Sequence, residues 1–316
     1  MPREHRLRLL LAFAAVYVLW GSTYLAIRFA IDTIPPFLMA GLRHGIAGVA
    51  IVWWARRRRA AWPSAAEWRT AAIVGPLLLL GGNGGVSWAE QRVPSGLAAL
   101  LVAAVPLWAV TIDWLRPGGA RPGRATILGL VTGFLGVAIL VNPRAGDAAR
   151  VDPVGAMVLI VAAVSWAGGS IVARHAKSAP SPLMATGANM LTGSAALLVT
   201  GLLAGDFARF HPAAVSARSS LALAYLIVFG SVAGFTAYIW LLRHTAPAKA
   251  TTYAYVNPVV AILLGWALGN EPITLRIALA AAVIISGVVM IAWLPGARAA
   301  LAARRANHTP ADSLSG

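Results

Sequence analysis

Long apolar runs, separated by short polar or Gly- and Pro-rich breaks, fill this chain from residue 9 to residue 294. A hydrocarbon core ~30 Å thick is crossed by about 20 mainly apolar residues in an α-helix. On that scale the pattern predicts ten membrane-spanning helices, at about residues 9–31, 36–55, 71–89, 95–115, 125–141, 153–173, 183–204, 221–242, 247–268 and 274–294. The join between halves is expected near residues 142–152, where Asn142, Pro143, Gly146, Asp147 and Asp152 interrupt the apolar pattern. No leftover segment reaches the about 60 residues of a small soluble domain. The expected fold class is an all-α polytopic membrane protein.

The second half repeats the first. Trp20, Arg28, Ala30, Pro36 and Gly41 recur as Trp166, Arg174, Ala176, Pro182 and Gly187, all displaced by 146 positions. Trp88, Ala98 and Pro106 recur as Trp240, Ala250 and Pro258, displaced by 152. Each half holds five predicted spans, an odd number, so the second half must enter from the opposite side of the membrane. Two inverted repeats are therefore expected, residues 9–141 (helices 1–5) and 153–294 (helices 6–10), followed by a cytoplasmic tail at 295–316. Inverted repeats place a substrate site near the bilayer midplane and alternate the side to which it opens.

Composition agrees with a membrane setting: 59% of residues are hydrophobic and only 11% charged, with mean hydropathy +0.74. The net charge of +16 is a topology signal, not a nucleic-acid footprint. With the N-terminus inside, 18 basic residues fall on the cytoplasmic side, including the Arg56–Arg59 run, and six on the other. The positive-inside rule then puts both termini in the cytoplasm. Residues 9–31 run on past Gly21 without a convincing cleavage site, so they read as a retained first helix, not a removed leader. The chain has no cysteine, which excludes disulfides and thiolate metal sites.

Several motifs resemble EamA-type transporters of the drug/metabolite transporter superfamily. The strongest runs from Tyr255-Val256-Asn257-Pro258 through Glu271-Pro272 to Ser286-Gly287-Val288, with Gly269-Asn270-Glu271 departing slightly from the usual Gly-Glu pair. Trp20-Gly21-Ser22, Leu42-Arg43, Pro106, and Gly133, Gly136 and Val137 match in the first half; the counterpart of the Gly-Glu-Pro turn is replaced there by Pro117 to Pro122, with no acid. The resemblance implies a ten-helix carrier of the bacterial inner membrane, usually an exporter of metabolites or amphipathic compounds. A small-molecule substrate, the lipid bilayer as surroundings, and a monomer or homodimer are expected; no cofactor, metal ion or nucleic acid is.

The residues themselves point to a cavity. Trp20 and Tyr24 lie four apart, on one face of helix one. Tyr253, Tyr255 and Asn257 precede Pro258, which frees a backbone carbonyl one turn earlier; such breaks at membrane depth are tolerated where they line a cavity or are buried in protein. Asn83, Trp88, Trp166, Asn189 and Tyr238 join the set by falling within other spans. For each ring alone an interfacial belt is the competing reading, and Trp53, Trp54 and Trp293 at span ends fit it. Arg43 lies about seven residues into helix two, ~10 Å along the axis, and intramembrane ionisable groups are costly and functional candidates by default. Snorkelling or capping of neighbouring carbonyls is its alternative. Asn189 occupies the repeat position of Arg43.

Absences shape the expected mechanism. Glu4, Asp32, Glu67, Glu90, Asp147, Asp152, Asp206, Glu271 and Asp312 lie in loops, termini or span ends, and Asp113 is one turn inside helix four. No carboxylate falls at a predicted midplane, so facilitated diffusion or exchange gains weight, with Asp113 the one intramembrane acid. Glycine pairs at small-xxx-small spacing, among them Gly129/Gly133 and Gly230/Gly234, signify close helix packing. A channel or lipid scramblase is the alternative to a carrier. Gly85-Val86-Ser87-Trp88-Ala89 lacks the strand–turn–helix setting of a nucleophile elbow, and His44 and His244 lack an evident carboxylate partner, which argues against an intramembrane enzyme.

Overall fold

A computed structural model describes residues 3–119, 121–141, 152–179, 181–245 and 252–306. Asn142, Pro143, Gly146 and Asp147, and the tail from 307 onward, lie outside the described residues. Eight helices are long and apolar enough to cross a membrane: α1 (Glu4–Ala30), α2 (Pro36–Arg57), α3 (Ala65–Ala89), α4 (Ser95–Leu115), α5 (Arg124–Val141), α6 (Pro153–His175), α7 (Pro182–Leu203) and α8 (Ala217–Leu241). Two shorter apolar stretches follow, α9 (Tyr253–Gly269) and α10 (Leu275–Ile291). The last helix continues to Ala306, so the segment expected as a tail begins as an extension of α10. No strand occurs among the described residues.

Helix starts follow capping chemistry. α3 begins six residues before the expected position because Ser64 and Glu67 form a capping box, Ser64 N–H donating to Glu67 Oε2 at 2.7 Å. α6 starts on Asp152, whose Oδ1 accepts from Gly155 N–H at 2.7 Å, with Pro153 in the first turn. Ser216 caps α8 in the same way and sets its start at Ala217. α9 stops where Asn270 takes a left-handed φ of 55°.

α2 and α4 lack local side-chain caps and borrow distant ones. Asp206, just past α7, accepts from Phe37 and Leu38 N–H at 2.9 and 3.2 Å. Glu271, in the α9–α10 turn, accepts from Ser95 and Gly96 N–H at 2.7 and 3.0 Å. The Glu-Pro turn is thus a clasp: an acid of the second half satisfies orphan donors, and complements the dipole, of a helix in the first.

Packing repeats with the halves exchanged. α1 packs on α8 and α9, and its counterpart α6 packs on α3 and α4; α2 packs on α8 as α7 packs on α3. Three pairs are their own counterparts, namely α2–α7, α4–α9 and α5–α10. Glycines bring α2 against α7, where Ser194 Oγ donates to the Gly41 carbonyl at 2.7 Å.

Both halves also share an irregularity. The middle of α3, Pro76–Gly84, and the middle of α8, Leu226–Ala233, wind as π-helix. Pro76 has no N–H to close an α-helical rung, which opens the first of them. Carbonyls in these wide turns find side-chain donors: Leu77 O accepts from Ser165 Oγ at 2.8 Å, and Asn83 O from Ser87 Oγ at 2.9 Å. In α8, Val232 O accepts from Thr236 Oγ1 at 2.7 Å. No backbone polar group can be left unmet in lipid, which is why wide turns recruit hydroxyls.

Candidate functional site

α1, α8 and α9 meet around Trp20. Its ring lies 5.2 Å from Phe235, 5.2 Å from Tyr238 and 4.8 Å from Tyr253, the last edge-on. Tyr238 and Tyr253 themselves touch edge to face at 5.5 Å. Each such pair contributes about 0.5–1.5 kcal/mol beyond burial. The indole N–H donates to the Gly230 carbonyl at 3.1 Å, so the π turn of α8 fixes the ring plane. Gly234 has to be glycine, because any Cβ there would collide with the indole nitrogen.

Gly230 links this aromatic cluster to a polar one. Its position lies 3.2 Å, measured from an ideal Cβ, from an Arg43 guanidinium nitrogen, and Arg43 Nε donates to Ser231 Oγ at 3.0 Å. Arg43 is 4% exposed, so it is buried and does not snorkel. One turn along α1 from Trp20, Tyr24 feels the charges of both Arg43 and Glu90. Glu90, one residue beyond the end of α3, is completely buried, and neither carboxyl oxygen has a hydrogen-bond partner. Arg28 donates to the Glu90 main-chain carbonyl. Burial pushes the Glu90 carboxyl well above the usual carboxylate range; Glu271 adds to the shift, and Arg28 and Arg43 oppose it.

Four expected residues, Trp20, Tyr24, Arg43 and Tyr238, therefore come together. Asn83 sits beside His44, whose ring is buried next to Arg43 in sequence. Asn257 is buried, and its main chain approaches Gly21 of α1; Tyr255 packs half-buried on the main core. Trp166 does not join them. It lies against Gly82 in the π turn of α3, as Trp20 lies against Gly234 in α8, which makes it the other half's version of the same contact. Trp88 is covered by the Arg92 guanidinium at 4.2 Å.

Asn189 lines a small cleft with Pro63, Glu67, Thr70 and Ser178, away from Arg43. The residues around Asn189 and those around Arg43, Gly230 and Ser231 among them, do not overlap. A groove of ≈ 330 Å³ between α2 and α7, lined by Gly41, Gly45, Val49, Ser194 and Leu198 among others, offers no free polar group to orient a solute.

Sequence reasoning placed Glu90 at a span end but missed its burial, and it missed Ser231 and Phe235. Tyr253, named with Tyr255 and Asn257 ahead of Pro258, does join the Trp20 cluster. Glu90, expected only at a span end, lies near enough to Arg43 to act on it electrostatically. Replacing Trp20 by alanine is expected to lower transport far more than replacing Trp53, which is 60% exposed, at equal membrane abundance. Equal losses would remove Trp20 from the site.

Comparison with known proteins is consistent across the chain. The model of the EamA-like transporter family matches twice, over residues 7–142 and 153–293. The uncharacterised inner membrane transporter YedA of Escherichia coli (strain K12) is 38% identical over 281 residues, covering 89% of each chain. The uncharacterised transporter YvbV of Bacillus subtilis (strain 168) is 25% identical over 292 residues, 90% of this chain and 91% of that one. A protein of known crystal structure shares the fold with a TM-score of 0.60 at 22% identity, covering 91% of this chain and 98% of its own.

Proposed function

The chain belongs to the EamA-like transporter family, and from that premise we propose that it is a secondary carrier exporting small amino-acid-like or amphipathic metabolites from the cytoplasm by alternating access. In this reading it crosses the bacterial inner membrane ten times as two inverted five-helix repeats, with both termini cytoplasmic. One observation carries the substrate class: an aromatic cluster adjoins a buried arginine across a single glycine, Gly230. Rings suit an apolar or aromatic side chain, and a guanidinium suits a carboxylate, which it can hold by two parallel hydrogen bonds. Membership of a transporter family favours transport over catalysis.

Reconstitution tests the function. Purified protein in proteoliposomes is expected to move zwitterionic amphipathic solutes saturably and to exchange them across the membrane. Non-saturating flux without counter-transport would indicate a pore or scramblase instead. The topology has its own test. Reporter fusions after Arg59 and at the C-terminus are expected to read cytoplasmic, and a fusion near Asp147 extracytoplasmic, because basic residues divide 18 to six. An extracytoplasmic C-terminus would refute an even number of crossings.

A further inference from the structure

Two carboxylates are fully buried among the described residues, Asp206 and Glu90. They differ in one respect. Asp206 accepts two backbone N–H groups and an Arg209 guanidinium, so its charge is accounted for by capping α2. Glu271, the neighbouring acid, is likewise occupied by Ser95 and Gly96 N–H. Glu90 accepts nothing at either oxygen, although Tyr24 and Arg28 on α1, Arg43 on α2 and Glu271 from the α9–α10 turn all lie within electrostatic reach of it, with His44 following Arg43 on α2. An ionised carboxylate with no hydrogen bond, sealed from water, is costly enough that such groups neutralise. A neutral acid in the sealed site and a carboxylate in the opened one is a group that binds and releases a proton as access changes.

We propose that Glu90 is the coupling site of this carrier, a carboxyl occupied alternately by a proton and by the ammonium group of the exported solute. This rests on the carrier reading above. The arrangement supplies both ends of a zwitterion, with Arg43 for its carboxylate, Glu90 for its ammonium and the Trp20–Tyr238–Tyr253 cluster for its side chain. With the site open to the cytoplasm, the Glu90 acid gives its proton to water, and the resulting carboxylate accepts hydrogen bonds from the entering ammonium, which keeps its own protons. With the site open to the other side, the solute leaves and a proton from water returns to the carboxylate. One proton enters for each solute exported, and no other reactant is needed. Glu90 lies at the end of α3 nearer the extracytoplasmic face in the proposed topology, which suits recharging from outside.

Two measurements on the full-length protein in liposomes test this. Infrared difference spectra through a pH titration are expected to show the carbonyl stretch of a desolvated protonated carboxyl at neutral pH, absent in Glu90→Gln and displaced but present in Glu90→Asp. Absence of that band in wild type at neutral pH, or its survival in Glu90→Gln, overturns the proposal whatever the substrate. The second measurement uses L-phenylalanine, its amide and N-acetyl-L-phenylalanine. Binding of the first two is expected to weaken about tenfold per pH unit on the acid side of the Glu90 titration and to become independent of pH in Glu90→Gln, with the N-acetyl compound unaffected by that substitution. Proton-driven transport of phenylalanine by Glu90→Gln at wild-type rate would refute the coupling role while leaving the carrier reading intact. If wild type moves none of the solutes in a wider metabolite panel, the carrier reading fails, and the carboxyl band still decides whether Glu90 holds a proton.

Discussion

Arg43→Ala is expected to abolish transport of solutes that carry a carboxylate, and Arg43→Lys to weaken it without abolishing it. Arg43 is buried, held by Ser231 at 3.0 Å, and next to the aromatic cluster. Hydrogen bonds to a charged partner are worth about 1.5–3 kcal/mol, so losing them corresponds to roughly ten- to 150-fold in apparent affinity. Lysine restores the charge but not the planar fork. Initial rates in proteoliposomes, compared for an amino acid and its amide, provide the measurement. The amide, lacking the carboxylate, is expected to lose little. Equal loss for both, together with poor yield of folded protein, would assign Arg43 to the scaffold.

The largest expected effect on stability comes from the seam between α5 and α10. A Cβ added at Gly287 would lie 2.5 Å from Gly133 N, 2.6 Å from Gly133 Cα and 2.7 Å from Gly129 O. All three are backbone atoms and cannot rotate aside. Gly287→Ala is therefore expected to destabilise by about 1–3 kcal/mol, and Gly287→Leu to prevent assembly of the helix pair. Gly168, in α6, has nothing within 4 Å of the same added atom. Gly168→Ala is expected to stabilise slightly, by up to about 1 kcal/mol from helix propensity. Thermal unfolding of the purified protein followed by tryptophan fluorescence would show shifts of opposite sign. Matching shifts would mean that the close approach at Gly287 is not limiting.

Helix placement was legible because apolar length is a one-dimensional property of the chain. The boundaries drifted where a cap acted, as at Ser64 and Ser216, since a cap is a local hydrogen bond and not a matter of hydropathy. Arg43 stood out by depth alone. Glu90 did not, for one residue past a helix end reads as solvent-exposed until Arg28, Arg43 and Glu271, each far away in sequence, are folded around it. The glycines at 230 and 234 were read as packing surfaces. They also lie in or beside π turns, and nothing in periodicity distinguishes a wide turn from a tight one over so few residues. Arg43 and Asn189 share a repeat position but not neighbours, since Asn189 lies in a cleft with Glu67 and Ser178 while Arg43 lies against Ser231 and Gly230. Asp206 and Glu271 were placed correctly at span ends, yet their partners on α2 and α4 could only be found in three dimensions.

The wide turns of α3 and α8 also bear on ancestry. A π turn is a local defect in an otherwise regular helix, and this chain carries one at matching places in both halves, each seating a tryptophan from the opposite half's set against a glycine. One origin before the gene doubled accounts for that more simply than two afterwards. The forebear is then a single unit of the kind the family model matches twice along this chain, already bearing the defect.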